Sequence, residues 1–316
     1  MNARSDGRPS ERAAAYACVA LAAGSWGVWP LLLRRIEAVG DLPSALESTV
    51  VMGVITLVSA LAMTRDRTSV RAPRRARAWL VGLGVCDALN VLLFFAAYKH
   101  TVAEAVVTHY LMPVFVALAA PIILREKMTA RSVFAISLSF TGLVVMLARG
   151  SGAPAREAVV VAAELGTASA VFYAAMVIGN KVVAGWYSTS EATFWHGLIA
   201  TAIMAAFVPP GCWSAVDRRA VALLFAVSFG PGALAGLIFV WGLRRMPAAH
   251  ASTLTLLEPL VAVFVGAVFF REELGLQTIA GGALILLGAL LILIQGSDRS
   301  AAAQAGALHV SDDQAR

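Results

Sequence analysis

Long apolar runs alternate with short polar segments along the whole chain. Each run has about 20 residues, and a helix rising about 1.5 Å per residue then spans the roughly 30 Å apolar core of a bilayer. The first run is longer than the apolar part of a signal peptide, so we predict a transmembrane helix there as well. The ten predicted helices cover approximately residues 13–33, 43–63, 78–98, 102–124, 132–148, 157–179, 190–208, 219–243, 247–270 and 275–294.

Composition excludes an ordinary soluble domain. Of the 316 residues, 59% are hydrophobic and only 14% are charged, whereas soluble domains carry about a quarter of charged residues. The formal charge of +6 would suggest nucleic acid in a soluble protein, but here the Arg residues lie between apolar runs, where they set topology. The three cysteines form no CxxC pair, which argues against a disulfide framework or a zinc site.

The second half of the chain repeats the first at a constant offset of 146 residues. The clearest copies are the segments 103–127 and 249–273, each an apolar helix with a proline near its middle and an Arg-Glu stop. One register held over about 65 residues indicates an internal duplication. The matched pairs include Gly84 and Gly230, Ala103 and Ala249, Ala105 and Ala251, Pro113 and Pro259, Arg125 and Arg271, Gly142 and Gly288, and Gly150 and Gly296.

Five helices per copy force the second copy to lie upside down relative to the first. We therefore predict an all-α membrane protein, in which ten transmembrane helices form two inverted five-helix repeats around a central cavity. This arrangement is typical of secondary transporters. The predicted divisions are a disordered cytoplasmic N-terminus (1–12), a first repeat (13–149), a linker (150–156), a second repeat (157–295) and a disordered cytoplasmic tail (296–316).

The distribution of Lys and Arg predicts the orientation. With the N-terminus inside, the inner segments hold 17 basic residues and the outer segments hold 8, as the positive-inside rule requires. The loop at 125–131 is net basic, whereas its copy at 271–273 is net acidic. The sequence thus predicts a multi-pass protein of the cell inner membrane with both termini cytoplasmic.

The chain resembles the drug/metabolite transporter superfamily over about residues 14–295, and more narrowly it resembles two copies of the EamA domain. The resemblance is carried by LLEPLVAVFVGAVFFREELGLQTIAGGALILLGALLIL in the second half and by GSWGVWPLLLRR in the first helix. It implies ten helices around a central cavity and the export of metabolites. The segment EAVVTHYLMP, residues 104–113, is also similar to aromatic amino acid exporters of this family, although His109 and Met112 stand where those exporters have bulkier aromatics.

Polar and aromatic residues inside the predicted spans are candidates for the cavity, because such groups are costly in lipid and face a cavity or a partner. The predicted cavity residues are Trp26, Asn90, Tyr110, Tyr173 and Glu258, and secondary candidates are Asp87, Glu104, His109, Glu164, Trp195 and His196. Glu258 is the deepest acid. Two readings are open for it: contact with a proton or a substrate amine, or bonding to backbone groups near the Pro259 break.

The function that this pattern favours is a secondary transporter that exports small metabolites, namely amino acids of broad or hydrophobic type, by alternating access. Other amphipathic metabolites, nucleosides or drugs are the alternative. An enzyme is disfavoured because no HExxH, GxSxG or P-loop motif occurs. We expect no cofactor, and no metal, since His100, Glu104 and His109 do not share one face. The expected partners are a small-molecule substrate and the bilayer, with no nucleic acid, and the sequence does not distinguish a monomer from a homodimer.

Overall fold

The computed structural model describes residues 9–40, 42–66, 72–148, 155–271 and 274–314, and these ranges contain helices and no strand. Nine helical segments within them are long and apolar enough to cross a membrane. The helices are α1 Pro9–Gly27, α2 Trp29–Glu37, α3 Ser44–Met63, α4 Arg74–Tyr98, α5 Val102–His109, α6 Met112–Ile123, α7 Ala130–Leu147, α8 Arg156–Val183, α9 Thr189–Ala205, α10 Cys212–Ala215, α11 Arg218–Val227, a π-helix Ser228–Leu234, α12 Ala235–Leu243, α13 Ala248–Leu254, α14 Leu257–Phe270 and α15 Leu276–Gln314.

The predicted helix positions agree with these elements, with one difference in count. The seventh predicted helix corresponds to α9, whose 17 residues make it shorter than the nine segments counted as spans. At about 1.5 Å per residue it extends over roughly 25 Å. It lies beside α3 and α4, and Ser190 near its start hydrogen-bonds Asp66 beyond the end of α3.

Four of the spanning segments are interrupted next to a proline. Pro30 follows the break between α1 and α2, and Pro231 lies in the π-helix. Pro113 and Pro259 follow the breaks between α5 and α6 and between α13 and α14, which occupy corresponding places in the two copies to within one residue. Proline lacks the N–H that the helix ladder needs, so each of these positions is a natural place for the helix to open.

The ends of the two duplicated helices have the same backbone conformation. Arg125 and Arg271 are the only residues other than glycine with positive φ in the described part of the chain, at 58° and 56°. Each follows a helix end whose carbonyls are capped, with Glu126 N–H donating to Ala120 O and Arg271 N–H donating to Gly266 O. These are left-handed C-terminal caps, and the 146-residue offset therefore holds for backbone geometry as well as for sequence.

Helices α7 and α15 pack together through glycines in an antiparallel direction. A Cβ at Gly142 would lie 2.6 Å from Gly281 O, and one at Gly288 would lie 2.8 Å from Ala135 O. As α7 runs from residue 135 to residue 142, the residues of α15 beside it run backwards from 288 to 281, so the two helices are antiparallel. Because 142 and 288, and also 135 and 281, are matched positions, the two contacts are copies of one another.

The predicted divisions at the chain ends and centre are only partly covered by the described residues. The linker prediction falls mainly on residues 150–154, and most of the N-terminal prediction falls on residues 1–8, both outside the described residues. Residues 9–12 belong to α1, and α15 continues as a helix to Gln314, which differs from the disorder predicted after Gln295. The run Ala301–Ala307 is rich in alanine, the strongest helix former.

We predict that Gly142→Ala lowers the free energy of unfolding by about 1–3 kcal/mol, because the added methyl group overlaps Gly281 O and Ile285 N. Thermal unfolding of the purified protein in detergent measures the change. Gly82→Ala in α4 is the matched control, since a Cβ there meets nothing within 4 Å. Equal melting temperatures for the two variants would contradict the packing described.

Candidate substrate-binding site between the two halves

An acid and a tyrosine meet at the two helix breaks. Tyr110 lies in the turn between α5 and α6, and Glu258 lies in the first turn of α14. Their side chains are close enough to interact electrostatically. The start of a helix has free N–H groups and a positive dipole end, which favour a carboxylate.

Helix α1 approaches the same break at a glycine. A Cβ at Gly27 would lie 2.5 Å from both Glu258 O and Val261 Cβ, so no other residue fits there without displacing α14. The residue matched to Gly27 in the second copy is Tyr173. The duplication therefore has a small residue against the acid in one half and a large aromatic residue in the other half.

A chain of hydrogen bonds lies beside this pair. Ser169 Oγ is 2.8 Å from Asn90 O and 2.9 Å from Asn90 Oδ1, and His109 Nδ1 is 2.9 Å from Ser169 Oγ. Both Asn90 atoms accept, so the single hydroxyl hydrogen of Ser169 points towards Asn90. His109 Nδ1 must then donate to Ser169, which leaves Nε2 as the acceptor of a neutral His109 ring.

Aromatic rings enclose His109. Its ring lies 4.3 Å from that of Phe94 and stacks on that of Tyr173 at 5.3 Å with an interplanar angle of 24°. The ring of Tyr110 meets it edge-on at 5.2 Å. Asn90 and His109 come from the first half, whereas Ser169 and Tyr173 come from the second half. The polar atoms at mid-depth are thus surrounded by apolar faces at the contact between the halves.

The predicted cavity residues are mostly brought together. Asn90, Tyr110 and Tyr173 are buried, and Glu258 is half-buried. Trp26 packs on Phe239 with ring centroids 5.1 Å apart, and it borders the same apolar cluster that contains Tyr173.

The secondary candidates divide into three groups. His109 belongs to the cluster described above. Asp87 and His196 contact each other one turn away along α4, with 3.2 Å between Oδ2 and Nδ1. Glu104 is half-buried, whereas Glu164 and Trp195 are exposed.

Sequence reasoning missed Ser169 and Phe94. Helical spacing could have found both: Ser169 lies four residues before Tyr173 on α8, and Phe94 lies four residues after Asn90 on α4, so each shares a face with a predicted residue. Ser169 is fully buried and joins two predicted residues, which makes it the structural centre of the hydrogen-bond chain.

One end of the helix bundle is closed by an ion pair. Glu126, which follows α6, pairs with Lys181 near the end of α8. Its other carboxylate oxygen accepts from the N–H of Ala248, the first residue of α13, at 2.7 Å. Lys181 Nζ also donates to Met246 O. A single acid from the first half thereby holds two elements of the second half.

A buried polar network reinforces this end. His250 on α13 contacts Tyr16 Oη through Nδ1 at 2.7 Å and Ser132 Oγ through Nε2 at 3.0 Å. Ser132 Oγ also lies 2.9 Å from Gln295 Oε1. Four helices, α1, α7, α13 and α15, therefore meet at one depth.

Arg244 is half-buried at the same end, just after α12. Its Nη1 donates to Tyr187 O at 2.9 Å. Burial lowers the pKa of Arg244 to about 10, the neighbouring Arg245 adds to this shift, and Asp66 opposes it. The guanidinium therefore remains charged at neutral pH, which adds a positive charge to this end of the bundle.

The opposite end carries a cleft of about 280 Å³ between the first turn of α3 and the last turns of α4. Lys99 and His100 lie at its rim and are exposed. None of the five predicted cavity residues lines it, so a central cavity around them stays a prediction. Among the described residues, no group of three His, Cys, Asp or Glu side chains is arranged to hold a metal ion.

The two halves match one transporter family separately. Residues 13–148 and residues 162–294 each match the EamA-like transporter family, and together they cover most of the chain. The chain belongs to this family. The two EamA segments coincide with the two copies found through the 146-residue offset.

Relatives of this EamA protein are also transporters. It is 31% identical over 216 residues to an uncharacterized transporter of Archaeoglobus fulgidus (strain ATCC 49558 / DSM 4304 / JCM 9628 / NBRC 100126 / VC-16), covering 67% of this chain and 75% of that protein. It is 25% identical over 293 residues to the uncharacterized transporter YvbV of Bacillus subtilis (strain 168), covering 88% and 91%. These names support a membrane transporter and state no substrate, so they do not support the similarity to aromatic amino acid exporters.

The fold is also found in a crystal structure. That structure superposes with a TM-score of 0.73 at 20% identity, covering 88% of this chain and 97% of the other. At this identity the likeness concerns the arrangement of helices alone.

We predict that Ser169→Ala lowers the free energy of unfolding by about 1–3 kcal/mol, because it leaves buried Asn90 and His109 atoms without a partner. Chemical or thermal unfolding in detergent measures this. Ser137→Ala, at an exposed position of α7, is the control and should leave stability unchanged. A Ser169→Ala variant as stable as the wild type would show that the hydrogen-bond chain contributes nothing.

Proposed function

We propose that this EamA protein is a secondary transporter that moves amino acids across the cell inner membrane by alternating access, in the direction of export. The observation that carries the proposal is the placement of Glu258 and Tyr110 near each other at the two helix breaks, beside a stack of aromatic rings. A carboxylate in this position is suited to an ammonium group, and aromatic faces are suited to an apolar side chain.

The absence of basic groups from the cluster supports a zwitterion over a phosphate ester. Phosphate recognition requires Lys or Arg near the ligand. The basic side chains of this sequence fall in loops and near helix ends, as with Lys181 and Arg244. The same aromatic faces would accept a nucleoside or a drug, and a transport panel distinguishes these substrates from amino acids.

We further propose that α9 is a tenth span and that the two halves are inverted repeats. Tyr16 near the start of α1 lies against Gly296 in α15. This contact supports a first span that begins, and a last span that ends, on the same side of the membrane, as an even number of crossings would give. The antiparallel copies of the α7–α15 contact support the inversion.

Alternating access requires that only one end is open at a time. The Glu126–Lys181 pair and the His250 network close one end, whereas the cleft beside Lys99 lies at the other. With both termini cytoplasmic, as the bias of 17 against 8 basic residues favours, the closed end is cytoplasmic. The chain is then in an outward-facing arrangement.

Amino acid flux tests the site. In proteoliposomes given radiolabelled leucine, phenylalanine and alanine, Glu258→Gln and Tyr110→Phe should each reduce flux about tenfold or more, since a hydrogen bond to a charged group contributes about 1.5–3 kcal/mol. Glu164→Gln, an exposed acid of α8, is the control and should transport normally. Wild-type flux by both folded site variants would refute the site, and flux of nucleosides or cationic drugs alone would refute the substrate class.

Topology is tested with reporters. An alkaline phosphatase fused after Gln295 should be inactive, because that enzyme is active only outside the cytoplasm, while a green fluorescent protein at the same position should fluoresce. The same pair fused after His100, in the loop before α5, should give the opposite result. An active phosphatase after Gln295 would reverse the proposed orientation.

A further inference from the structure

A second ionisable pair lies between the halves, outside the cluster around Glu258. Asp87 on α4 belongs to the first half and His196 on α9 belongs to the second half. Both are more than nine-tenths buried, at 6% and 5% exposure. Their closest atoms, Asp87 Oδ2 and His196 Nδ1, are 3.2 Å apart. Two ionisable groups buried at mid-helix in a membrane protein are costly and mark a functional path.

The surrounding packing brings this pair together. Gly84 lies one turn before Asp87, and a Cβ there would be 2.8 Å from His196 O and 2.6 Å from Ile199 Cβ. The absence of a side chain at Gly84 therefore allows α4 to touch α9 at the depth of the pair. Close contact between helices of different halves would be sensitive to any change of charge within it.

The ring nitrogens of His196 lack hydrogen-bond partners among the described residues. Nε2 is buried and has no hydrogen-bond partner among the described residues, and the contact of Nδ1 with Asp87 lacks the geometry of a hydrogen bond. A buried polar atom without a partner in a native fold needs a reason. Histidine is also the side chain that gains and loses a proton most readily near neutral pH.

Few other titratable groups face the pair. Cys86 is adjacent on α4, and Tyr173 on α8 lies within the electrostatic influence of both Asp87 and Glu258. Helix α3, which packs on α4 and α9, carries Glu47 in its first turn and no other charged side chain, and α12 carries none. Helix α5, which also packs on α4, carries the titratable side chains of Glu104 and His109. Tyr173 therefore interacts electrostatically with the acid of this pair and with the proposed substrate acid.

We propose that Asp87 and His196 form the proton-coupling site of this transporter, which exchanges a proton for its substrate. A proton from water on the open side binds Nε2 of neutral His196, and the imidazolium is balanced by the Asp87 carboxylate. After the halves rearrange, the same proton leaves Nε2 to water on the other side. Attraction between the charged pair holds α4 to α9, so proton binding favours one arrangement of the halves.

This inference rests on the proposed alternating access, and a pH gradient tests it. In proteoliposomes with an acidic interior, radiolabelled leucine should accumulate in the wild type by up to about tenfold for each pH unit if one proton is exchanged. The quantity compared is uptake with the gradient divided by uptake without it. In His196→Gln and Asp87→Asn this ratio should fall to about one, whereas Glu164→Gln should keep the wild-type ratio.

The ratio separates coupling from stability. A purely structural role of the pair would lower uptake with and without the gradient by the same factor and leave the ratio unchanged, which would overturn the proposal. A wild-type ratio of one would also overturn it, although leucine flux would still support the proposed function. If no amino acid is carried at all, the proposed function fails.

If no amino acid is transported, the proposal can still be tested by following the protonation of His196 in the absence of substrate. The purified protein is labelled with ¹⁵N in its histidine rings, and the signal lost in His196→Gln identifies His196. We expect this signal to show that the ring gains a proton when the pH of the buffer is lowered, and to respond differently in Asp87→Asn. A His196 ring that stays in one protonation state throughout the pH range in which the protein remains folded would overturn proton coupling by this pair.

Discussion

Every polar group inside the bilayer must find its partner within the protein, because lipid offers none. This constraint accounts for the helical fold and for the positions of its exceptions. The chain leaves the helix at mid-depth next to Pro113 and Pro259, where a hydrogen bond is lost in any case. Tyr110 and Glu258 lie at these openings, where free backbone groups and a helix dipole partly compensate a charge.

The same constraint concentrates polar side chains at contacts between the halves. At mid-depth these are the hydrogen bonds through Ser169 and the pair Asp87–His196. At the closed end they are the Glu126–Lys181 pair and the His250 network. Polar contacts of this kind are directional and can be broken and remade, whereas the glycine contacts of α7 with α15 are continuous and tight. The molecule thus combines a rigid helix pair with separable contacts elsewhere.

Much of the fold could be predicted from the sequence. Apolar run length located the helices, the constant offset located the matched prolines, and the cost of burying polar groups singled out Asn90, Tyr110, Tyr173 and Glu258. The Glu126–Lys181 ion pair and the His250 network at the closed end were not predicted. They involve residues near helix ends, such as Glu126 and Lys181, whose partners depend on which helices become neighbours.

The exposure of Glu164 and Trp195 could not be predicted from the sequence, for one common reason. In a soluble helix, the apolar face marks the core, but a membrane helix is apolar towards lipid and towards its neighbours alike. Periodicity therefore cannot tell which face of α8 or α9 turns inward. Ser169 was overlooked for the same reason, since a small hydroxyl among alanines gives little contrast until Asn90 and His109 are found beside it. The helical extension of α15 past Gln295 reflects local propensity, which the apolar pattern does not report.

The contact between α7 and α15 has a consequence for the origin of the chain. Gly142 of α7 packs against α15, and its matched residue Gly288 of α15 packs in the same way against α7. Each half therefore carries a surface that fits an antiparallel copy of itself. A polypeptide of one half, inserted into the membrane in both orientations, would bury the same glycines in a symmetric homodimer. Fusion of two such genes would fix one orientation of each half and free the sequences to diverge, so that a glycine now stands at 27 and a tyrosine at the matched position 173.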